Sequence, residues 1–223
     1  MNSLYILIIL LLIPFLCFII EKIFSDKYKN IEANSKLTGF EVSRKLLDSY
    51  DMKDIYIVEI KTGDLTDHFD SKQEVVRLSS SVYYGTSIYS TAVALYFTIQ
   101  AIMNKNDKSV IQTKGMLDNF VEFGYIIIGI ILLMWVFMLD EGILMVALVL
   151  FSLVLIYEIV MVPVGFKIAK QAISNGEKYK IVDEKELEYL QKICNMMAFS
   201  EISRVILLIN KGVKNLLDSI RRG

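Results

Sequence analysis

The sequence predicts an α-rich integral membrane protein with a small α+β module outside the bilayer. Hydrophobic residues make up 54% of its 223 residues, and the mean hydropathy is +0.48. Three runs contain most of this excess, Leu4–Ile20, Gly124–Leu139 and Gly142–Val164, and the one charged residue within them is Glu158. Apolar runs of about 20 residues match the thickness of the bilayer hydrocarbon. The more polar residues 21–115 are long enough to form a folded module of their own.

The composition excludes several classes of function. The 24 Lys and Arg residues nearly balance the 25 Asp and Glu residues, and the sequence has no recognition motif for nucleic acid. Cys17 and Cys194 are the two cysteines, too few for a disulfide framework or a thiolate zinc site. His68 is the single histidine of the chain, which excludes a metal site with several histidine ligands.

The three apolar runs are predicted to span the membrane. No Lys or Arg precedes Glu21, and no cleavage site of small residues follows the first run. Residues 1–20 are therefore interpreted as an uncleaved transmembrane helix rather than a signal peptide. The other two runs are separated by Asp140-Glu141 alone, which predicts a tight transmembrane hairpin over residues 116–165.

Lysine residues predict the orientation. They follow the first and third runs, whereas the N-terminus has none and the hairpin tip is acidic. Cytoplasmic loops carry an excess of Lys and Arg. We therefore expect a multi-pass protein of the cell membrane, with its N-terminus outside and with residues 21–115 and 166–223 in the cytoplasm.

The last apolar stretch, Ile193–Ile209, allows two interpretations. Glu201 and Arg204 interrupt it at a spacing that allows them to pair on one helical face. Basic residues follow it, which disfavours movement of the C-terminus across the membrane. The cytoplasmic tail 166–223 therefore contains either an amphipathic helix in the interface or a fourth membrane helix with a buried Glu–Arg pair.

Within residues 21–115 the patterns alternate between helix and strand. Thr38 and Glu41 have the spacing of a capping box, followed by apolar residues at helical period. Two short strands are expected at Asp54–Ile60 and Glu74–Ser79, with a turn at Gly63-Asp64 between them. A helix is expected over Ser87–Met103, with an apolar side formed by Ile88, Ala92, Leu95, Ile99 and Ile102.

The order of these features resembles the YugP-like family of neutral zinc metallopeptidases. Five segments carry the resemblance: Leu37-Thr38-Gly39 through Leu46-Leu47-Asp48, Leu65-Thr66-Asp67-His68-Phe69-Asp70, Val76-Arg77-Leu78-Ser79, Val82-Tyr83-Tyr84-Gly85 and Ser87-Ile88. Val162-Pro163-Val164 extends the resemblance to most of the chain. It implies a bacterial membrane protein with an N-terminal span, a zincin-like cytoplasmic module and a later hairpin.

The resemblance also implies where the chemistry of the family belongs. An HExxH motif on the helix after Ser87-Ile88 places two imidazoles on one face to hold zinc, and its glutamate takes a proton from the bound water. A third ligand, a glutamate, follows the Pro-Val step. In this sequence the two histidine positions are Tyr96 and Gln100, the glutamate of the motif is Phe97, and the third-ligand position is Gly165.

These four replacements predict a family member without a zinc site. A tyrosine titrates near pH 10 and an amide is a weak donor, so neither competes with imidazole for zinc. Phe97 cannot accept a proton and Gly165 has no side chain. We therefore expect no cofactor and no catalysis. The expected function is that of a pseudopeptidase, a protein-binding or regulatory membrane module whose partners are the bilayer and either a protein client or an active paralogue.

The sequence allows two alternative functions. His68, flanked by Asp67 and Asp70, could join Glu158 in a rearranged peptidase site, a candidate polar cleft. The simpler interpretation is that His68 bonds to Asp67 or Asp70 in a loop, while Glu158 faces Gln100 or Tyr96. The second alternative is a small oligomeric transport component, indicated by the spans and by a carboxylate at membrane depth.

Overall fold

The computed structural model describes residues 2–61, 66–106, 108–199 and 202–203. In chain order the elements are α1 (Asn2–Tyr28), α2 (Gly39–Ser49), β1 (Tyr56–Ile60), β2 (His68–Asp70), β3 (Val75–Ser79), α3 (Ser80–Tyr83), α4 (Ile88–Asn106), α5 (Lys108–Met138), α6 (Glu141–Lys178) and α7 (Glu184–Met197). The chain forms a mostly helical structure with one small sheet, as the sequence predicts. The predicted turn at Gly63-Asp64 lies outside the described residues.

The chain folds into two compact units. The apolar unit comprises, within the described residues, those up to Ile20, Leu117–Val162 and residues 202–203. The α+β unit comprises Glu21–Met116 and Pro163–Phe199. The boundary in α6 falls at Pro163, which has no N–H to donate to the preceding helical turn.

The apolar unit is built from the first part of α1, most of α5 and the first part of α6. Leu7, Ile128, Leu144, Phe151 and Leu155 form its core, while many other large apolar side chains are exposed. Within the described part of the chain, Ser3–Tyr28 and Glu141–Lys178 are long and apolar enough to cross a membrane, and Phe123–Met138 is a shorter apolar helix.

A three-stranded sheet of order β1-β3-β2 lies in the α+β unit. β1 runs parallel to β3, from Tyr56 opposite Val75 to Ile60 opposite Ser79. β2 is antiparallel to β3, with His68 opposite Arg77. β1 and β3 confirm the two predicted strands. The sequence prediction missed β2, because three residues are too few to reveal a period of two.

The capping box that precedes α2 is confirmed. The Thr38 hydroxyl accepts a hydrogen bond from the Glu41 N–H at 3.2 Å, and the Glu41 carboxylate accepts one from the Thr38 N–H at 2.8 Å. The helix then buries Val42, Leu46 and Leu47. The first residue of the helix, Gly39, has no room for a side chain, because a Cβ atom there would lie 2.3 Å from the Val82 carbonyl oxygen.

Helix α4 is the centre of the α+β unit. Every residue from Ile88 to Asn104 except Phe97 is buried, so the apolar side that the sequence predicts is part of a fully enclosed helix. The helix packs against α2, α3, α7, β2 and β3. Any side chain that α4 carries is therefore held by neighbours on all sides.

Helix α7 belongs to the α+β unit. Its inner face buries Leu190, Ile193 and Cys194 against α4, and the unit extends to Phe199. The division at residue 166 that the sequence suggests stays a prediction. The helix ends at Met197, within the expected helix 193–209. Beyond it, most of that stretch lies outside the described residues, and both interpretations of it stay predictions.

A second capping box fixes the start of α7. The Asp183 carboxylate accepts hydrogen bonds from the N–H groups of Lys185 and Glu186, both at 3.0 Å, and from the Asn34 side chain at 2.6 Å. The Asn34 backbone N–H also donates to Glu186 at 2.6 Å. The loop before α2 is thereby attached to α7.

Acid should weaken this attachment. The Asn34 bond and the helix N–H groups hold the pKa of Asp183 below its usual range. Because the pKa of Asp183 is lower in the folded chain, its carboxylate contributes its full stabilisation above about pH 4, the pKa of an aspartate in the unfolded chain. This contribution is lost as the pH falls through the pKa of Asp183 in the folded chain. The free energy of unfolding of the wild type should therefore fall more steeply below pH 4 than that of Asp183→Asn, which caps without titrating. Parallel curves in a pH series of unfolding would contradict this assignment.

Candidate functional site

The predicted site positions on α4 are deeply buried. Tyr96 is 1% exposed and Gln100 is 6% exposed, and their spacing of four residues places them on one face of the helix. Phe97 is half-buried against the core, and its ring meets that of Tyr96 edge-on, at 86° with 5.4 Å between the centroids. The three positions are therefore occupied by packed side chains.

The fourth predicted position comes to the same place from a distant part of the sequence. Gly165 lies in the part of α6 that belongs to the α+β unit, and it is buried. The Tyr96 hydroxyl donates a hydrogen bond to the Gly165 carbonyl oxygen at 3.4 Å. Two of the four positions singled out in the sequence are thus brought into contact although 69 residues separate them.

A neutral, protonated hydroxyl group occupies this contact. Burial, followed by the nearby acidic groups Cys194 and Glu21, raises the pKa of Tyr96 far above its usual value. Burial also raises the pKa of the Cys194 thiol, which is fully enclosed. Neither group supplies the anionic or imidazole ligand that zinc requires at neutral pH.

Ala198, the residue that follows α7, occupies the space beside Gly165. A Cβ atom on Gly165 would lie 2.9 Å from both the Cα atom and the carbonyl oxygen of Ala198, and 3.2 Å from its Cβ atom. Real Cβ atoms do not approach backbone atoms so closely. A ligand side chain at this position would have to displace the backbone at Ala198.

The residues at this site do not fit a zinc ion. The available groups are a phenol, an amide, a phenyl ring and a glycine without room for a side chain. Among the described residues no three His, Cys, Asp or Glu side chains lie close enough together to hold a metal.

His68 lies elsewhere in the α+β unit, at the exposed start of β2. Its Nδ1 atom lies 2.8 Å from the Thr66 carbonyl oxygen, so Nδ1 carries the proton in this contact. The structure thus gives His68 a different partner from Asp67 or Asp70, which the sequence favoured. Those carboxylates bind backbone: Asp67 accepts from the Ser79 N–H at 2.6 Å, and Asp70 accepts from the N–H groups at 72 and 73.

Glu158 belongs to the apolar unit and is 1% exposed. The Tyr125 hydroxyl donates to its Oε1 atom at 2.5 Å, across from α5 to α6. In the reverse direction, the Tyr157 hydroxyl of α6 donates to Asp118 of α5 at 3.0 Å. His68 and Glu158, the two members of the predicted polar cleft, thus fall in different units. The sequence prediction missed both tyrosine partners, although Asp118 and Tyr125 share a helical face.

Comparison of the sequence with known proteins identifies the family of this chain. A family model described as "Putative neutral zinc metallopeptidase" matches residues 3–216. The chain belongs to this family. A curated relative from Bacillus subtilis (strain 168), named "Putative membrane protease YugP", is 29% identical over 147 residues, which cover 66% of this chain and 65% of the relative. The match thus spans slightly less than two thirds of that relative. No solved structure matches the chain significantly.

The residues that carry the resemblance to this metallopeptidase family have structural roles here. Thr38 caps α2, and Gly39 allows its backbone N–H to bond to the Gly85 carbonyl at 3.1 Å. Asp67 binds the end of β3, and the Ser87 hydroxyl accepts from the Ser90 N–H at the start of α4. This family scaffold is therefore maintained by interactions that require no metal.

The closure over Gly165 can be measured by substitution. We expect Gly165→Ala to lower the free energy of unfolding by about 1–3 kcal/mol, because the new Cβ atom meets the Ala198 backbone. Tyr96→Phe should cost less, about 1 kcal/mol, because it removes one long hydrogen bond.

Gly129→Ala is the matched control for this prediction. No atom lies within 4 Å of a Cβ atom at that helical position, so alanine should be neutral or stabilising by up to about 1 kcal/mol. The three variants are compared by thermal unfolding in detergent. If Gly165→Ala unfolds like Gly129→Ala, position 165 has room for a side chain and the site is open.

Proposed function

We propose that this chain is a membrane-embedded pseudopeptidase, a member of the metallopeptidase family that retains the fold and has lost the zinc site. One observation carries the proposal: the Tyr96 hydroxyl lies against the Gly165 carbonyl, at the place where the resemblance puts two zinc ligands. A packed phenol and a backbone carbonyl there replace an imidazole and a carboxylate.

The chemistry of hydrolysis supports an inactive protein. A metallopeptidase depends on a metal-bound water whose pKa the metal lowers, and on a base that accepts its proton. Tyr96, Gln100 and Gly165 provide no suitable ligand, and Phe97 provides no base. Because the metal generates the nucleophile, its loss removes the mechanism as a whole.

A rearranged peptidase site has less support. His68 and Glu158 belong to different units, and Asp67 and Asp70 already accept hydrogen bonds from backbone N–H groups. The proposed role is therefore binding or regulation of another protein, such as a client or an active paralogue.

The apolar helices support a multi-pass arrangement. In the proposal α1 and the α5–α6 hairpin cross the bilayer, and the α+β unit lies in the cytoplasm. The lysines that follow the apolar runs of α1 and α6 agree with this orientation.

Metal content tests the loss of the site. Full-length protein purified in detergent should contain zinc well below one equivalent by mass spectrometry, because Tyr96, Phe97, Gln100 and Gly165 supply neither an imidazole nor a carboxylate at the site. A family member that carries HExxH, purified in the same way, serves as the positive control. Close to one equivalent of zinc in this chain would refute the pseudopeptidase proposal.

Co-expression tests the regulatory role. We expect the chain to co-purify with an HExxH-containing family member after crosslinking in the membrane, and to change the rate at which that enzyme cleaves a casein substrate. An unrelated tagged protein with two transmembrane helices controls for crowding in the membrane. Neither association nor a change of rate would remove the active paralogue as a partner.

A further inference from the structure

An open groove in the α+β unit runs between the second part of α6 and α7. Its volume is about 490 Å³, within the range of roughly 300–1,000 Å³ that is usual for ligand sites. Phe166, Lys170, Ser174 and Glu177 line it from α6, and Gln191 and Asn195 line it from α7. The groove is separate from the buried contact of Tyr96 with Gly165.

The two helices run antiparallel along the groove. The Gly165 Cα position lies against Ala198, the rings of Phe166 and Phe199 are 5.2 Å apart, and Gly176 lies against Leu190. The offset of these contacts along the two helices predicts that Lys170 lies at the level of Asn195, and Ser174 at the level of Gln191. All four side chains carry hydrogen-bond donors.

These donors are available to a ligand. Within the described part of the chain, the side chains of Lys170, Gln191 and Asn195 form no ion pair or hydrogen bond with the protein. Lys170 is exposed. A cation with two amides beside it is suited to a phosphate group, which accepts several hydrogen bonds and carries negative charge.

The groove begins close to the end of an apolar helix. α6 is continuous from Glu141 to Lys178. In the sequence, the apolar run that ends at Val164 stops two residues before Phe166 and six residues before Lys170. The headgroup layer is about 5–8 Å thick on each side of the hydrocarbon, and a lysine side chain can reach back toward it.

An aromatic pair marks the same end of the groove. Phe166 and Phe199 meet edge-on at 90°, and they are 38% and 44% exposed. At the other end lies Glu177, which disfavours an anion there. Along the groove, apolar surface is followed by a cation and then by a carboxylate. This order matches an anionic phospholipid, whose acyl chains are followed by its phosphate and then by water.

We propose that this groove binds the headgroup of an anionic phospholipid. Lys170 contacts the phosphate, Asn195 and Gln191 donate hydrogen bonds to the headgroup oxygens, and Phe166 contacts the first carbons of the acyl chains. The inference rests on the membrane placement of α6 in the proposed function, and it is independent of the loss of zinc.

Lipid titration of the full-length protein tests this site. Protein in phosphatidylcholine nanodiscs is compared with protein in nanodiscs that also contain phosphatidylglycerol, and retained lipid is counted by native mass spectrometry. We expect preferential retention of phosphatidylglycerol, with an affinity that Lys170→Gln lowers about tenfold, as the loss of one charge-assisted hydrogen bond predicts. Asn195→Leu should lower it less.

Lys167→Gln is the matched control, because Lys167 is exposed and does not line the groove. It removes the same charge one turn away and should leave the affinity within about twofold. An equal loss for both lysine variants would indicate general attraction to an anionic surface and overturn the site. Equal retention of both lipids by the wild type would overturn it as well.

Two further arms separate the remaining explanations. Inorganic phosphate should not displace the lipid; displacement would identify the ligand as a soluble phosphate and overturn the lipid assignment. Carbonate extraction is carried out on the membranes from which the protein is purified, and zinc content is measured on the purified protein. Release of the protein by carbonate would refute the membrane placement and the groove together, whereas bound zinc would refute the pseudopeptidase proposal and leave the groove intact.

Discussion

The complete burial of α4 is the constraint on which the α+β unit depends. A helix enclosed on every side must match its neighbours in volume at each turn, because protein interiors are packed as densely as crystals of small molecules. The sheet, α2, α3 and α7 all use α4 as their common contact. A change of side chain on α4 is therefore felt by several elements at once, and the sequence at positions 96, 97 and 100 is best understood as part of this packing.

In the proposed pseudopeptidase, this constraint allows the fold to be kept without a catalytic site. A buried zinc ion and its ligands contribute to stability, so their removal leaves polar groups and a void that must be filled. Here a tyrosine ring fills the volume, its hydroxyl group finds a backbone acceptor at Gly165, and Ala198 lies over the remaining space. These three features fill the space around the Tyr96 ring and pair its hydroxyl group.

The sequence predicted the elements that have strong local signals. The capping box at Thr38 and Glu41, the strands that became β1 and β3, and the helix over Ser87–Met103 depend on spacing that is visible in one dimension. It missed β2, which is three residues long, and it did not indicate that α7 contacts α4. The burial of α7 follows from its contact with α4, a long-range interaction that periodicity does not reveal.

The candidate site was predictable only in part. The resemblance singled out Tyr96 and Gly165, and the structure brings them together, but the closure by Ala198 and the proximity of Glu21 and Cys194 depend on tertiary packing. Likewise, no pattern paired Glu158 with Tyr125. Sequence spacing identifies groups that share one helix face, whereas it gives no information on which face of another helix meets them.

The crossed bonds Tyr125–Glu158 and Tyr157–Asp118 have a consequence for biogenesis. Each helix of the hairpin donates a phenol to a carboxylate of the other, so these two bonds exist only when both helices are side by side. Loss of a hydrogen bond to a buried charged group is costly where water cannot replace it. In the proposed membrane arrangement, insertion of α6 ahead of α5 would deprive Glu158 of the Tyr125 hydroxyl, and the energetically favoured course is entry of the two helices as one preassembled element.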